Sequence, residues 1–206
     1  MPRRLLIAWA LAAGLALTAP ASAPAADQAA LPGAVTDREQ ALAAWDRSAE
    51  PGPWHAFLAG RAGKWDVAGR IWNDPEGEPT SSRGESRLEM VLGGRYLQER
   101  HKGESDSRPY EGLGLLGFDN ADSTVTAVWL DNLGTRTAVL SGRAPKTPGD
   151  ALTLRGVLTD PASGRVISLR LVITFVGADE QRWEYFGAPE GFDESRMMEL
   201  TYSRRR

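Results

Sequence analysis

From Lys64 to Ser203 the chain is a train of short extended runs, and this constrains its fold more than any other feature. Ten runs follow one another, over about 64–72, 82–92, 94–103, 109–118, 123–131, 134–143, 150–159, 164–176, 180–188 and 195–203. Turn clusters separate them, among them Asn73-Asp74-Pro75-Glu76-Gly77, Gly93-Gly94, Asp119-Asn120-Ala121-Asp122 and Asp160-Pro161-Ala162-Ser163-Gly164. Gly, Pro, Asn and Asp close hairpins because they supply the backbone angles and local hydrogen bonds that tight turns need. The clearest run sets Ile167, Leu169, Leu171, Ile173 and Phe175 on one face and Val166, Ser168, Arg170, Val172 and Thr174 on the other. That alternation predicts a sheet with one buried and one wet side. No connection is long enough for a crossover helix, which argues against a parallel sheet. Closure removes the two free edges that a train of hairpins otherwise exposes. The expected fold is all-β: an antiparallel up-and-down barrel of about ten strands.

The segment before the first run has a different character. Arg3 and Arg4 precede an uncharged apolar stretch from Leu5 to Ala19, and Ala21, Ala23, Ala25 and Ala26 follow. This is the three-part pattern of a secretory signal, shorter than the roughly 20 residues of a bilayer-spanning helix. The spacing predicts a signal peptide over 1–25, cleaved after Ala25, hence a periplasmic or secreted protein with no stable membrane anchor after cleavage. Residues 26–50 read as a mobile start and a helix. Thr36 and Glu39 are spaced as a capping box, and Leu42, Trp45 and Ala49 recur at helical intervals. A second helical piece is expected from Trp54 to Leu58, ending near Gly60, as a short cap on one mouth of a barrel domain over 51–206.

Composition excludes several functions. With 24 basic against 27 acidic residues, the chain lacks the positive footprint of a nucleic-acid binder. It has no Cys, which removes disulfide scaffolds, thiol catalysis and Cys-ligated metals. The two histidines, His55 and His101, are too few and too far apart for a metal centre, and His101 alone is poor support for a haem. Ser141 before Gly142 lacks the surrounding pattern of a nucleophile elbow. No catalytic residue, metal or cofactor is expected.

Gly63-Lys64-Trp65 opens the first strand after a short helix, and Arg204 follows Tyr202-Ser203 in the last. This arrangement resembles the Gly-x-Trp signature of lipocalins and related calycin barrels. The resemblance implies that Trp65 plugs the closed end with Arg204 packed across its ring, a structural pair held by cation–π attraction. A broader resemblance is to the bacterial family known as domain of unknown function 1579. It is carried by Pro53-x-His55, Gly63-x-Trp65, Gly93-Gly94-Arg95-Tyr96-Leu97, Tyr110-x-Gly112-x-Gly114, Gly117-Phe118-Asp119-Asn120, Trp129-x-Asp131-Asn132-x-Gly134-Thr135 and Tyr202-x-Arg204. It implies a calycin-like barrel and no established activity.

Within such a barrel the candidate ligand-binding residues are Tyr96, Tyr110, Trp129, Asp131, Trp183 and Tyr185. Trp129 and Asp131, like Trp183 and Tyr185, stand two apart and so share a face. Aromatic walls with a few hydroxyl, indole and carboxylate groups suit a small apolar or amphipathic molecule. Asp131 and Asn132 are also well placed to cap turn amides. Two charged rows, Glu85-x-Arg87-x-Glu89 and Glu99-x-His101, are expected on the solvent side, where antiparallel barrels put their charges. Turned inward, they would make a polar interior. Two other readings stay open: an enzyme using Asp131 with a nearby Tyr or Arg, and a solidly packed structural barrel in the cell envelope.

Overall fold

The computed structural model describes residues 37–105, 108–161 and 163–206. The signal-peptide reading over 1–25, the mobile start and Thr36 of the capping box lie outside the described residues. Residues Glu39–Arg206 form one compact unit. Two helices, α1 (Arg38–Ala49) and α2 (Pro53–Ala59), precede ten strands. These are β1 (Gly63–Ile71), β2 (Thr80–Val91), β3 (Tyr96–Ser105), β4 (Arg108–Asp119) and β5 (Thr124–Asp131), then β6 (Ala138–Arg143), β7 (Leu152–Thr159), β8 (Val166–Val176), β9 (Glu180–Pro189) and β10 (Ser195–Arg204). Each strand pairs antiparallel with the next, and β1 pairs with β10, so the sheet is a closed ten-stranded barrel. The strands fall on the expected runs, except that β6 starts at Ala138 rather than near 134.

Alternation carries the architecture. On β1, Trp65, Val67 and Gly69 are buried while Lys64, Asp66, Ala68 and Arg70 face out. Leu152 and Leu154 of β7 and Leu171 and Ile173 of β8 meet them in the core. Of the charged row on β2, Glu85 and Arg87 are exposed, as expected from their charge, and Glu89 is half-buried. Membrane-spanning barrels turn an apolar band outward instead. Among the described residues no helix is long and apolar enough to cross a bilayer.

One end is sealed. Pro53 opens α2, Gly60 caps it, and the Gly52 amide donates to His55 Nδ1 at 2.9 Å. Trp54 stacks on Phe118 with ring centroids 5.6 Å apart, Phe57 meets Phe175 edge-on at 4.8 Å, and Leu58 is fully buried. His55 thus does two structural jobs, capping α2 and packing against Phe118. Helix α1 buries no residue, and Trp45 on it is 75% exposed, so α2 alone is the cap. Asn120 ties the end of α1 and the residue after it to the barrel by donating to the Ser48 and Glu50 carbonyls.

Trp65 and Arg204 are direct partners across the β1–β10 seam. The Trp65 ring is fully buried, its Nε1 donates to the Arg61 carbonyl at 3.0 Å, and the Arg204 guanidinium lies 4.3 Å from the ring centroid. Arg204 also donates to the Ala62 and Gly60 carbonyls at 2.7 Å each and meets Asp179 at 3.1 Å. The plug therefore fastens the cap, the first strand and the β8–β9 turn together. Gly63 is required here: its φ is +140°, and a Cβ would stand 2.7 Å from Arg204 Nη1.

Candidate ligand-binding site

Above the plug the barrel is hollow. A cavity of about 400 Å³ runs from Leu97, Leu116 and Trp183 to a mouth edged by Arg83, Glu104 and Arg136. That volume lies within the range of small-molecule sites, about 300–1,000 Å³. One wall is aliphatic, with Leu140, Leu158, Leu169, Leu171, Met198 and Leu200. The opposite wall, from β2 to β5, sets the polar groups Glu99, His101, Tyr110, Trp129 and Asp131 among aliphatic residues such as Leu88, Leu97 and Leu116.

Glycines explain how large polar side chains fit on that wall. Gly112 and Gly114 of β4 pair with Asp131 and Trp129 of β5. A Cβ on Gly112 would stand 2.2 Å from Trp129 Cζ2, and one on Gly114 would stand 3.0 Å from the same ring. The Tyr110-x-Gly112-x-Gly114 motif is thus a bed for the Trp129 indole. Gly84 and Gly103 do the same for His101, whose Nε2 lies 2.5 Å and 3.1 Å from where their Cβ atoms would be.

Two hydrogen-bonded groups result. Near the mouth, Trp129 Nε1 donates to the Tyr110 hydroxyl at 2.9 Å, and that hydroxyl faces Asp131 Oδ2 at 3.5 Å. Burial pushes the Tyr110 phenol up to about 12, against the pull of the indole N–H and with the help of the Asp131 charge. Asp131 Oδ1 accepts from the Leu133 amide at 3.0 Å, so this carboxylate caps its turn and faces the cavity at once. Asn132 serves the turn alone, accepting from the Glu111 amide and donating to the Pro109 carbonyl.

Deeper, Ser86 donates to Glu99 Oε1 at 2.6 Å, and Tyr202 donates to the same oxygen at 3.1 Å. Ser86 Oγ also lies 2.9 Å from His101 Nδ1. Glu99 is 5% exposed, and burial lifts its carboxyl to about 7 even though both hydroxyls favour the charged form. Burial lowers the His101 pKa, which keeps the imidazole neutral at physiological pH. Burial likewise raises the Tyr185 and Tyr202 phenols. Trp183 packs on Tyr202 with centroids 5.4 Å apart, and its buried Nε1 has no acceptor among the described residues.

Five of the six residues expected inside the barrel line the cavity: Tyr110, Trp129, Asp131, Trp183 and Tyr185. Tyr96 does not. It is 41% exposed and lies on the outer face, its ring over Gly117 of β4. Its parity on β3 is opposite to that of Leu97 and Glu99, which point inward. The same parity corrects the second charged row: Glu99 and His101, expected on the solvent side, face the interior. Ser86 and Tyr202 were not singled out from sequence as polar interior groups. The usable signal was the set of glycines on β2, β3 and β4, which mark where a neighbouring strand projects a bulky side chain inward. Among the described residues no three His, Cys, Asp or Glu side chains cluster to hold a metal ion.

No curated protein matches the chain by comparison. Among solved structures, the crystal structure of Rv2717c from M. tuberculosis has the same fold, with a TM-score of 0.54 and 18% identity, over 76% of this chain and 100% of that one. A de novo designed fluorescence-activating β-barrel is a looser likeness, with a TM-score of 0.41 and 13% identity over 72% of this chain and 97% of that one. The profile of the family described as "Protein of unknown function (DUF1579)" matches residues 50–204, a span that contains the cap, the plug and every cavity-lining residue, and the chain belongs to that family.

Proposed function

We propose that this protein binds a small apolar or amphipathic molecule inside the barrel. The carrying observation is the cavity of about 400 Å³, open at one end and sealed at the other by α2 and Trp65. A small barrel's interior can be filled by side chains or hold one small ligand, and here it stays open. Here the aliphatic wall offers a surface for an apolar body, and the Tyr110–Trp129–Asp131 and Ser86–Glu99–His101 groups offer a polar anchor. The signal-like residues 1–25 support an exported binding protein working in the periplasm or outside the cell.

The test uses N-phenyl-1-naphthylamine, a neutral apolar dye that brightens on leaving water, together with native mass spectrometry of protein purified from its own host. The expected result is saturable dye binding, abolished in Ala127→Phe, because Ala127 lines the cavity and a larger side chain occupies it. A co-purified small molecule would add support. Dye binding that Ala127→Phe leaves intact, in a variant that still folds, would overturn the reading.

A further inference from the structure

The acceptors left over on the polar wall identify the ligand's polar end, an inference that rests on the ligand-binding reading above. Both bonds to Glu99 fall on Oε1, so Oε2 receives neither of them, and the residue lines the cavity. Ser86 has a single hydroxyl proton. With Glu99 ionised, that proton goes to Oε1 at 2.6 Å. The 2.9 Å contact with His101 Nδ1 is then made by the imidazole's own N–H, leaving Nε2 with its lone pair. Glu99 and His101 are two apart on β3 and share its inward face. Asp131 adds a second carboxylate nearer the mouth. The cationic side chains on the lining, Arg83 and Arg136, sit at the exposed rim.

We propose that the cavity selects ligands whose polar end is a protonated amine on an apolar body, seated on Glu99 Oε2 with His101 Nε2 as a second acceptor. An ammonium brings several donors and a positive charge to a wall that offers acceptors and negative charge. Charge-assisted bonds of this kind are about twice as strong as neutral ones. The usual objection is the cost of burying both ions. On the protein side that cost is already met in the fold, because Glu99 is buried and held by two hydroxyls before any ligand arrives. An alcohol meets the same acceptors without the charge. A carboxylate meets Glu99 and Asp131 with like charge and no interior cation.

Calorimetric titration with decylamine, decanol, decanoate and decyltrimethylammonium separates these cases, since the last carries the charge without N–H donors. At pH 8 the amine is protonated, because alkylammonium groups titrate near that of Lys, about 10.4. Decylamine is expected to bind roughly tenfold or more tightly than the other three, a difference of about 1.4 kcal/mol. Glu99→Gln keeps an oxygen for Ser86 and Tyr202 and is expected to erase that preference while leaving decanol binding within about twofold. Lowering the pH to 5.5 is expected to weaken decylamine and spare decanol. The groups around Glu99 are Ser86, His101, Tyr110, Tyr185 and Tyr202, with Asp131 farther along the same lining, and protonation of Glu99 or His101 opposes a cation. Equal affinities for decanol and decylamine would overturn the amine assignment and leave the ligand-binding reading standing. Tightest binding by decanoate would also overturn it, placing an anionic head at the Arg83–Arg136 rim. Failure of all four to bind the wild-type protein would overturn both.

Discussion

Replacing Glu99 by Gln removes a buried charge while keeping the shape and the oxygen that Ser86 and Tyr202 bond. In the unfolded chain the carboxyl titrates near its ordinary 4.5, and in the barrel near 7. Between those values the folded protein holds a proton that the unfolded chain has released. Stability therefore falls as pH rises from about 4.5 to about 7, and the loss is complete above about 7. A difference of roughly two and a half pH units, at about 1.4 kcal/mol each, makes the loss about 3 kcal/mol. Gln does not titrate, so the variant escapes it. The tyrosines that feel the Glu99 charge titrate well above this pH range, so the difference between the two proteins isolates Glu99. Urea unfolding followed by tryptophan fluorescence at pH 5, 6, 7 and 8 measures it. The variant should gain on the wild type by about 2.5 kcal/mol between pH 5 and pH 8, roughly 1–2.5 M in midpoint at ordinary urea sensitivities. A constant gap between the two proteins, or a wild type that gains on the variant toward pH 8, would refute the reasoning.

Trp65→Ala should cost about 3–5 kcal/mol, since it empties the sealed end and leaves Arg204 without its ring, and thermal unfolding reads it directly. A variant as stable as the parent would contradict the plug. Gly112→Ala places a methyl where Trp129 Cζ2 now stands 2.2 Å away, so the indole must leave its bed. Overpacking of this kind costs about 1–3 kcal/mol, and the Trp129–Tyr110 bond should break, shifting tryptophan emission and weakening dye binding. Asp131→Asn retains an oxygen for the Leu133 amide, so its melting temperature should stay close to that of the wild type. Its affinity for decylamine should drop about two- to fivefold, the effect of a charge near the mouth that does not touch the amine. Unchanged affinity would remove Asp131 from the site's electrostatics.

The barrel could be read from the chain because its determinants are local. Strand runs, turn residues and two-residue alternation are set by neighbours in sequence, and hairpin linkage leaves few ways to pair the strands. The Trp65–Arg204 plug was legible through the resemblance that Gly63-x-Trp65 and Tyr202-x-Arg204 carry, and closure of the barrel brings the two residues into register. Tyr110, Trp129, Asp131, Trp183 and Tyr185 were legible as inward aromatics and a carboxylate beside turns. Tyr96 misled, because an aromatic at a strand start has no intrinsic side, and one residue of register decides between core and solvent.

Glu99 and His101 mark the boundary between the two kinds of information. Their alternation showed that they share a face, but their charge argued for water, and local sequence holds nothing to overrule it. What overrules it is spread along the chain: Ser86 and Tyr202 supply hydrogen bonds, and Gly84 and Gly103 supply space for the imidazole. Those partners meet Glu99 and His101 only after closure sets every register. Pattern along the chain thus determined the strands and the turns, because both rest on short-range periodicity, while the plug was legible only through the family resemblance its motifs carry. Tertiary structure decided which polar groups enter the interior, because the stability of a buried charge depends on partners that lie far away in sequence.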